Sequence, residues 1–342
     1  MTDREARRAR ADDLQAVDYS AKPHRQQERK HVPSLTARCF APRQLGIWLG
    51  LGVLSVLWCL PVRLRDALGS SLGLLHYRLG KSHWRAARRN LRLCFPERSE
   101  AEIVALLREH SATQWCVWLD LPALWLQSQA RLRARTDYHG LEQLRERAST
   151  NQPTVLLVCH NSALEHAAHS LKSMLPMLGY YRRFKSPVLD WLFYRLRSRN
   201  GGYLTERQDS LRSLVRDIGD GWQLYQMIDE DLGADLGEFA SFFATQLCVV
   251  TSTARLCRMA GATACPVFSG YDRRRHRYRV KVLPAVSSFP SGQATQDARA
   301  VSEVLETLIR EEEVQFMWHQ RMLQTRPEGA PSPYLGIRSA SD

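Results

Sequence analysis

The chain has 342 residues, 44% of them apolar, enough for one substantial core or two modest ones, which excludes an intrinsically disordered or disulfide-stapled protein. Lysine and arginine number 48 against 35 acidic residues, and the resulting formal charge of +13 favours anionic partners: nucleic acid, anionic lipid headgroups or an acidic carrier protein. The eight cysteines are scattered with no C-x-x-C pair, the usage expected of reduced, buried thiols in a cytoplasm-facing protein.

Residues 1–43 are polar and rich in Arg, Gln and Asp, so a loosely attached tail is expected there rather than a cleavable signal peptide. Leu45 to Val62 is an uncharged run of 18 residues carrying Trp48 and Trp58, with Arg43 before it and Arg63 and Arg65 after. That length is near the lower limit for a spanning helix, and the run is expected to anchor in the bilayer or just cross it; a buried helix of a soluble core is the alternative. Asp66 to Leu79 is a weaker apolar segment broken by Gly69, Gly73 and His76, so 44–80 reads as a membrane anchor followed by an interfacial segment. Ser82 to Phe95 sets four arginines among apolar residues and is stopped by Pro96, a pattern that suits an anionic membrane surface or an ordinary solvated helix face.

The main domain is expected over 81–326. Ser99 and Glu102 form a capping signal for a helix through Ile103, Leu106 and Leu107, with a second apolar stretch (Trp115, Trp118, Leu119, Trp125) packing on it and Pro122 interrupting. Thr154 to Cys159 reads as a buried strand, Gly221 to Ile228 and Cys265 to Ser269 as further strands, and Tyr278 to Leu283 as a half-exposed one. Helical patterns lie near Asp209 to Ile218, Thr251 to Ala260 and Gln296 to Glu312. Strands interleaved with helices predict an α/β fold with a mixed, largely parallel sheet flanked by helices. Residues 327–342, rich in Pro, Gly and Ser, are expected to form a loose tail.

Chemistry concentrates directly after the first strand, where His160-Asn161-Ser162-Ala163-Leu164-Glu165 places a histidine at a strand end. In an α/β fold that is the usual address of a reactive group. With His160 in the turn and Glu165 in the first helical turn, the carboxylate could fix the imidazole tautomer and make His160 a general base; a structural histidine is the alternative. Spacing argues against other chemistries. H-E-x-x-H is absent and the inverted H-x-x-E-H fails at Ser162, which leaves little for zinc. No G-x-S-x-G elbow, Walker motif or dinucleotide glycine motif is present. Downstream, Arg182, Arg183, Lys185, Arg195, Arg197, Arg199 and Arg207 are interleaved with aromatics and could grip phosphates. A solvated basic helix would read the same way, and no nucleic-acid-binding motif accompanies them.

The order of these features resembles the bacterial lipid A biosynthesis acyltransferases, the late lauroyl and myristoyl transferases of the lysophospholipid acyltransferase-like superfamily. The resemblance runs from about Phe40 to Tyr334: the apolar anchor, ARRNLRLCFPERS, the strand followed by H-x4-E, YRRFKSPVLDW, Met227-Ile228-Asp229-Glu230-Asp231, Phe242-Phe243-Ala244, and the closing Phe316-Met317-Trp318-His319 with Thr325-Arg326-Pro327-Glu328-Gly329. H-x4-E alone is weakly specific; the ordered combination is not.

The resemblance implies a glycerolipid-acyltransferase-like core and a catalytic dyad of His160 and Glu165, with no metal or organic cofactor. His160 would deprotonate a hydroxyl of a phosphorylated glycolipid acceptor, which attacks an acyl-carrier-protein thioester at the cytoplasmic face of the inner membrane. Arg182, Arg183, Lys185 and Arg207 become candidates for phosphate or oxyanion contacts, and Asp231 for a supporting acidic site. One departure stands out: the family type between histidine and acid is F-G-N-W, whereas this chain has Asn161-Ser162-Ala163-Leu164. That change puts acceptor identity and chain-length choice in doubt, and keeps open an acyltransferase for another membrane lipid or a non-catalytic glycolipid-binding relative.

Overall fold

The computed structural model describes residues 32–80, 83–199, 202–206 and 210–337. The expected tail before Val32 and the candidate Arg207 lie outside the described residues.

In chain order the helices are α1 (Leu45–Trp58), α2 (Val62–Leu79), α3 (His83–Cys94), α4 (Glu100–Asp120), α5 (Ala123–Leu126), α6 (Gln129–Ala134), α7 (Leu141–Ser149), α8 (Leu164–Leu171), α9 (Pro187–Ser198), α10 (Leu211–Gly219), α11 (Ser252–Ala260) and α12 (Ala294–Glu311). The strands are β1 (Thr136–His139), β2 (Thr154–Val158), β3 (Met177–Tyr181), β4 (Tyr203–Glu206), β5 (Gln223–Met227), β6 (Gly237–Phe242), β7 (Thr245–Val250), β8 (Thr263–Asp272) and β9 (Arg277–Val282). Seven strands form one sheet in the order β1-β9-β8-β2-β5-β3-β4, and β6 and β7 make a separate antiparallel hairpin. Every pairing in the large sheet is parallel except β8 with β9. The fold is therefore α/β with a mixed, mostly parallel sheet, as the interleaved pattern predicts.

Helices cover both faces of the sheet, which is why β2 is apolar at nearly every position. Val155 and Leu157 point into the larger core with α3, α4, α10 and α12, while Leu156 and Val158 point into a second core with α7 and α8. The capping box at Ser99 and Glu102 starts α4 as expected. Trp115, Trp118 and Leu119 of the second stretch continue the same helix, which runs unbroken to Asp120, while Trp125 lies beyond the expected interruption at Pro122, on α5. α2 lies along α4 because Gly69 and Gly73 remove the side chains at the crossing: a Cβ on Gly73 would stand 2.5 Å from Ala112 Cα. The arginine-rich α3 buries Trp84, Ala87, Asn90 and Leu91, and its Arg88 and Arg92 pair with Glu100, so part of its charge is held within the protein.

Two expectations need correction. The apolar run at 45–62 is not one helix: α1 has 14 residues, and Cys59-Leu60-Pro61 turns the chain into α2. Proline disfavours helical geometry in the residue before it and donates no backbone hydrogen bond. At about 1.5 Å per residue α1 is roughly 21 Å long, short of a hydrocarbon core of about 30 Å. No helix among the described residues is long and apolar enough to cross a membrane. The segment after Arg326 is also not loose as far as it is described. Tyr334 is buried, and its hydroxyl donates to Asn90 Oδ1 at 2.5 Å while accepting from the Leu323 N–H.

Candidate active site

β2 and β5 are adjacent parallel strands, so their carboxyl ends deliver two loops distant in sequence to one place. β2 delivers His160 and β5 delivers Asp229. The Ile228 N–H donates to Val158 O at 3.0 Å and fixes the register between the two loops. The His160 backbone N–H donates to Asp229 Oδ2 at 2.8 Å, and ring Nδ1 donates to Asp229 Oδ1, also at 2.8 Å. Asp229 is fully buried as a side chain. A carboxylate only accepts, so the proton sits on Nδ1 and Nε2 carries the lone pair. Burial works to lower the His160 pKa, but the Asp229 charge and hydrogen bond, with Glu230 and Glu165 adding to them, leave it raised above the ordinary histidine value.

His160 borders a cavity of about 950 Å3, a size suited to a large, partly apolar ligand. Glu165, in the first turn of α8, lines the same cavity but makes no hydrogen bond to His160 among those the described residues form. Arg197 of α9 holds it instead, through Nη2 on Oε1 and Nε on Oε2, the latter at 3.3 Å. Burial would raise the Glu165 pKa, yet Arg197, followed by His169 and Lys172, brings it down to about 2. Below it, Lys172 Nζ donates to Leu196 O, and burial pushes its ammonium pKa down to about 7. The expected hydrogen-bonded pair of His160 and Glu165 is thus replaced by two pairs, His160–Asp229 and Glu165–Arg197, facing one cavity.

The other candidates divide. Arg182 and Arg183 line the cavity; Arg183 is also paired with Glu206 at 3.1 Å, whereas Arg182 has no ion-pair partner among the described residues. Lys185 is exposed and outside the lining. Asp231 is outside the lining that its neighbours Glu230 and Leu232 join; it accepts from the Thr325 N–H and hydroxyl, each at 2.6 Å, and from the Gly233 N–H, tying this loop to Thr325. Of the four residues that depart from the family filling, only Leu164 lines the cavity. Asn161 instead accepts from Ser269 Oγ at 2.9 Å, and the Ser162 N–H donates to Gln315 O at 2.8 Å, binding the loop to the segment before Phe316. No group of three or more His, Cys, Asp or Glu able to hold a metal ion occurs among the described residues.

Sequence reasoning missed Asp229 and Lys172 as functional groups, and it named Arg197 only as a candidate phosphate grip, whereas the structure pairs it with Glu165. Asp229 and Asp231 stand in the same stretch, Met227-Ile228-Asp229-Glu230-Asp231, and the pairing of β5 with β2 is the signal that separates them.

The family model described as bacterial lipid A biosynthesis acyltransferase matches residues 33–325. The chain belongs to this family. The lipid A biosynthesis myristoyltransferase of Escherichia coli (strain K12) is 31% identical over 89% of this chain and 95% of its own length. The lipid A biosynthesis lauroyltransferase of the same organism is 30% identical over 89% and 99%, and a lipid A biosynthesis acyltransferase of Haemophilus influenzae is 28% identical over 84% and 90%. As a member of this family the protein is an acyltransferase of lipid A biosynthesis.

Proposed function

We propose that this enzyme transfers a fatty acyl chain from an acyl-carrier-protein thioester to a hydroxyl of a phosphorylated lipid A precursor, at the cytoplasmic face of the inner membrane, with His160 as general base. The observation that carries the reading is the His160 imidazole at the cavity wall, its Nδ1 tied to a buried carboxylate and Nε2 left available. Nε2 takes the proton of the acceptor hydroxyl as its oxygen bonds to the thioester carbonyl carbon. The carbonyl oxygen becomes an oxyanion, for which Arg182 is the cation at hand. Collapse of this intermediate breaks the C–S bond, and the imidazolium returns its proton to the departing thiolate.

Asp229 orients the ring and stabilises the imidazolium. Glu165 acts electrostatically, since its negative charge favours the protonated imidazole and it holds Arg197 in the cavity wall. Arg183, Lys185 and Arg207 are assigned to phosphates of the acceptor or acidic groups of the carrier protein. The exposed apolar side chains Leu45, Leu49, Val53 and Val56 of α1 support seating in one leaflet rather than a span.

The test is reconstitution of the purified enzyme with a phosphorylated glycolipid acceptor and either acyl-carrier-protein or coenzyme A thioester. The expected product gains the mass of one acyl chain, and only from the carrier-protein donor. Equal turnover with coenzyme A would overturn the donor assignment, and no product with either donor would overturn the reaction.

A further inference from the structure

A second hollow, of about 410 Å3, lies between α1 and α9, separate from the reaction cavity. Its walls are apolar and aromatic: Trp48 and Gly52 from α1, Trp125 from α5 and Trp191 from α9. The polar atoms of the α1 wall are already used. Trp48 Nε1 donates to Cys39 O at 2.8 Å, and the Ser55 hydroxyl donates to Leu51 O at 2.8 Å. Gly52 leaves the hollow open, because a Cβ there would meet nothing within 4 Å.

The hollow also has a cationic edge. Arg195 and Arg199 line it, both are exposed, and neither has an ion-pair partner among the described residues. They contrast with Arg197 between them, which turns inward to Glu165. Arg195 lies in the last turn of α9 and Arg199 is the extended residue just past its end, so two cations border one apolar space and an anion there would offset their like charge. Next to this edge, Leu45, Leu49, Val53 and Val56 leave α1 with an apolar surface 50–70% exposed, and Phe40 extends it. Such a surface is stable against lipid and costly against water.

An apolar trough, a paired cationic rim and an adjoining lipid-facing surface have one common complement: a lipid with an anionic phosphate headgroup. We propose that the α1–α9 hollow binds one acyl chain of an anionic bilayer phospholipid, with its phosphate held between Arg195 and Arg199. The volume lies at the lower end of the ligand-pocket range of about 300–1,000 Å3 and suits a single chain. The bound lipid fills the gap beside α1 and braces α9, whose other side carries Arg197 into the reaction cavity. The site is independent of which hydroxyl the enzyme acylates.

The test uses the full-length enzyme and vesicles of phosphatidylcholine with or without phosphatidylglycerol carrying bromine along its chains, read by quenching of tryptophan fluorescence. Saturable quenching is expected with the brominated anionic lipid and not with brominated phosphatidylcholine. Gly52→Leu, which fills the trough without changing charge, should abolish the saturable phase, whereas Gly50→Leu, on α1 outside the hollow and equally free of neighbours, should keep it. Arg195→Gln with Arg199→Gln should weaken anionic-vesicle binding roughly fivefold per residue. Quenching that is equal for both lipids, or identical in the Gly52→Leu and Gly50→Leu proteins, would overturn the site. A double arginine variant that binds like the wild type would overturn the headgroup assignment. None of these readouts uses acyl transfer, so their failure is distinct from failure of the proposed reaction.

Discussion

Replacing Asp229 with asparagine changes one atom in a buried pair and should nearly silence the enzyme. Both oxygens of Asp229 are occupied as acceptors, one by the His160 ring and one by the His160 backbone N–H. An asparagine can satisfy only one of them. If its oxygen faces the ring, its NH2 faces the backbone N–H; if it faces the backbone, the NH2 faces Nδ1 and drives the proton to Nε2, where it blocks the base. The charge is lost as well. A unit charge about 4 Å from the imidazolium, at an effective dielectric constant near 20, contributes about 4 kcal/mol, or roughly 10^3-fold in rate. The assay is single-turnover acyl transfer across pH, with product measured by mass spectrometry. With the neutral imidazole as the proposed base, the wild-type rate should fall as pH drops through a His160 pKa raised above 6.5, and removing the carboxylate should move that acid limb to lower pH. Activity within threefold of wild type with an unmoved acid limb would refute the assignment of tautomer control to Asp229.

Three further outcomes follow from the same geometry. Glu165→Gln should destabilise the protein at neutral pH by about 3 kcal/mol, because it leaves Arg197 and Lys172 without their anion. The Glu165 pKa falls from 4.5 to about 2 on folding, so its stabilisation is complete above about pH 4.5 and is lost as pH falls toward 2. Urea titrations should therefore show the gap between wild type and Glu165→Gln narrowing below pH 4.5, and a constant gap would contradict the ion pair. Asp120→Asn should cost about 3–5 kcal/mol in denaturant titrations, since this buried carboxylate accepts from Arg65, Arg135, Tyr278 and Trp58 and ties α1 and α2 to β9; a loss below about 1 kcal/mol would mean the cluster is dispensable. Gly179→Leu places a side chain in the reaction cavity where a Cβ meets nothing within 4 Å. It should shift the transferred acyl chain toward shorter lengths, since each excluded methylene forfeits about 0.8 kcal/mol of burial, and an unchanged chain-length profile in the product lipids would place the acyl chain elsewhere.

The sheet was legible wherever burial on both faces forced a continuous apolar run, as in β2, and where turns bounded β5, β8 and β9. β1, β3 and β4 escaped because they are only four or five residues long and carry polar residues, Tyr or Gly among few aliphatic ones. Apolar character continues past the end of α1 through Cys59-Leu60-Pro61, where helical backbone geometry does not, so hydropathy alone overstates the helix. In the site, His160 was marked by its place after an apolar strand. Its partner could not be read the same way. Glu165 is near in sequence, but helix direction carries it to Arg197, while Asp229 lies 69 positions away and arrives only because β5 pairs with β2. Which of Arg195, Arg197 and Arg199 turns inward likewise depends on the phase of α9 against α8.

The most direct trial of the base assignment is acyl transfer by His160→Gln beside the wild type, both purified, matched in thermal unfolding and supplied with the same carrier-protein thioester and phosphorylated glycolipid. Product formation slowed by at least about 10^2-fold, with glycolipid binding retained, is the result these structural relations require. Turnover by His160→Gln near the wild-type rate would mean that another group takes the hydroxyl proton.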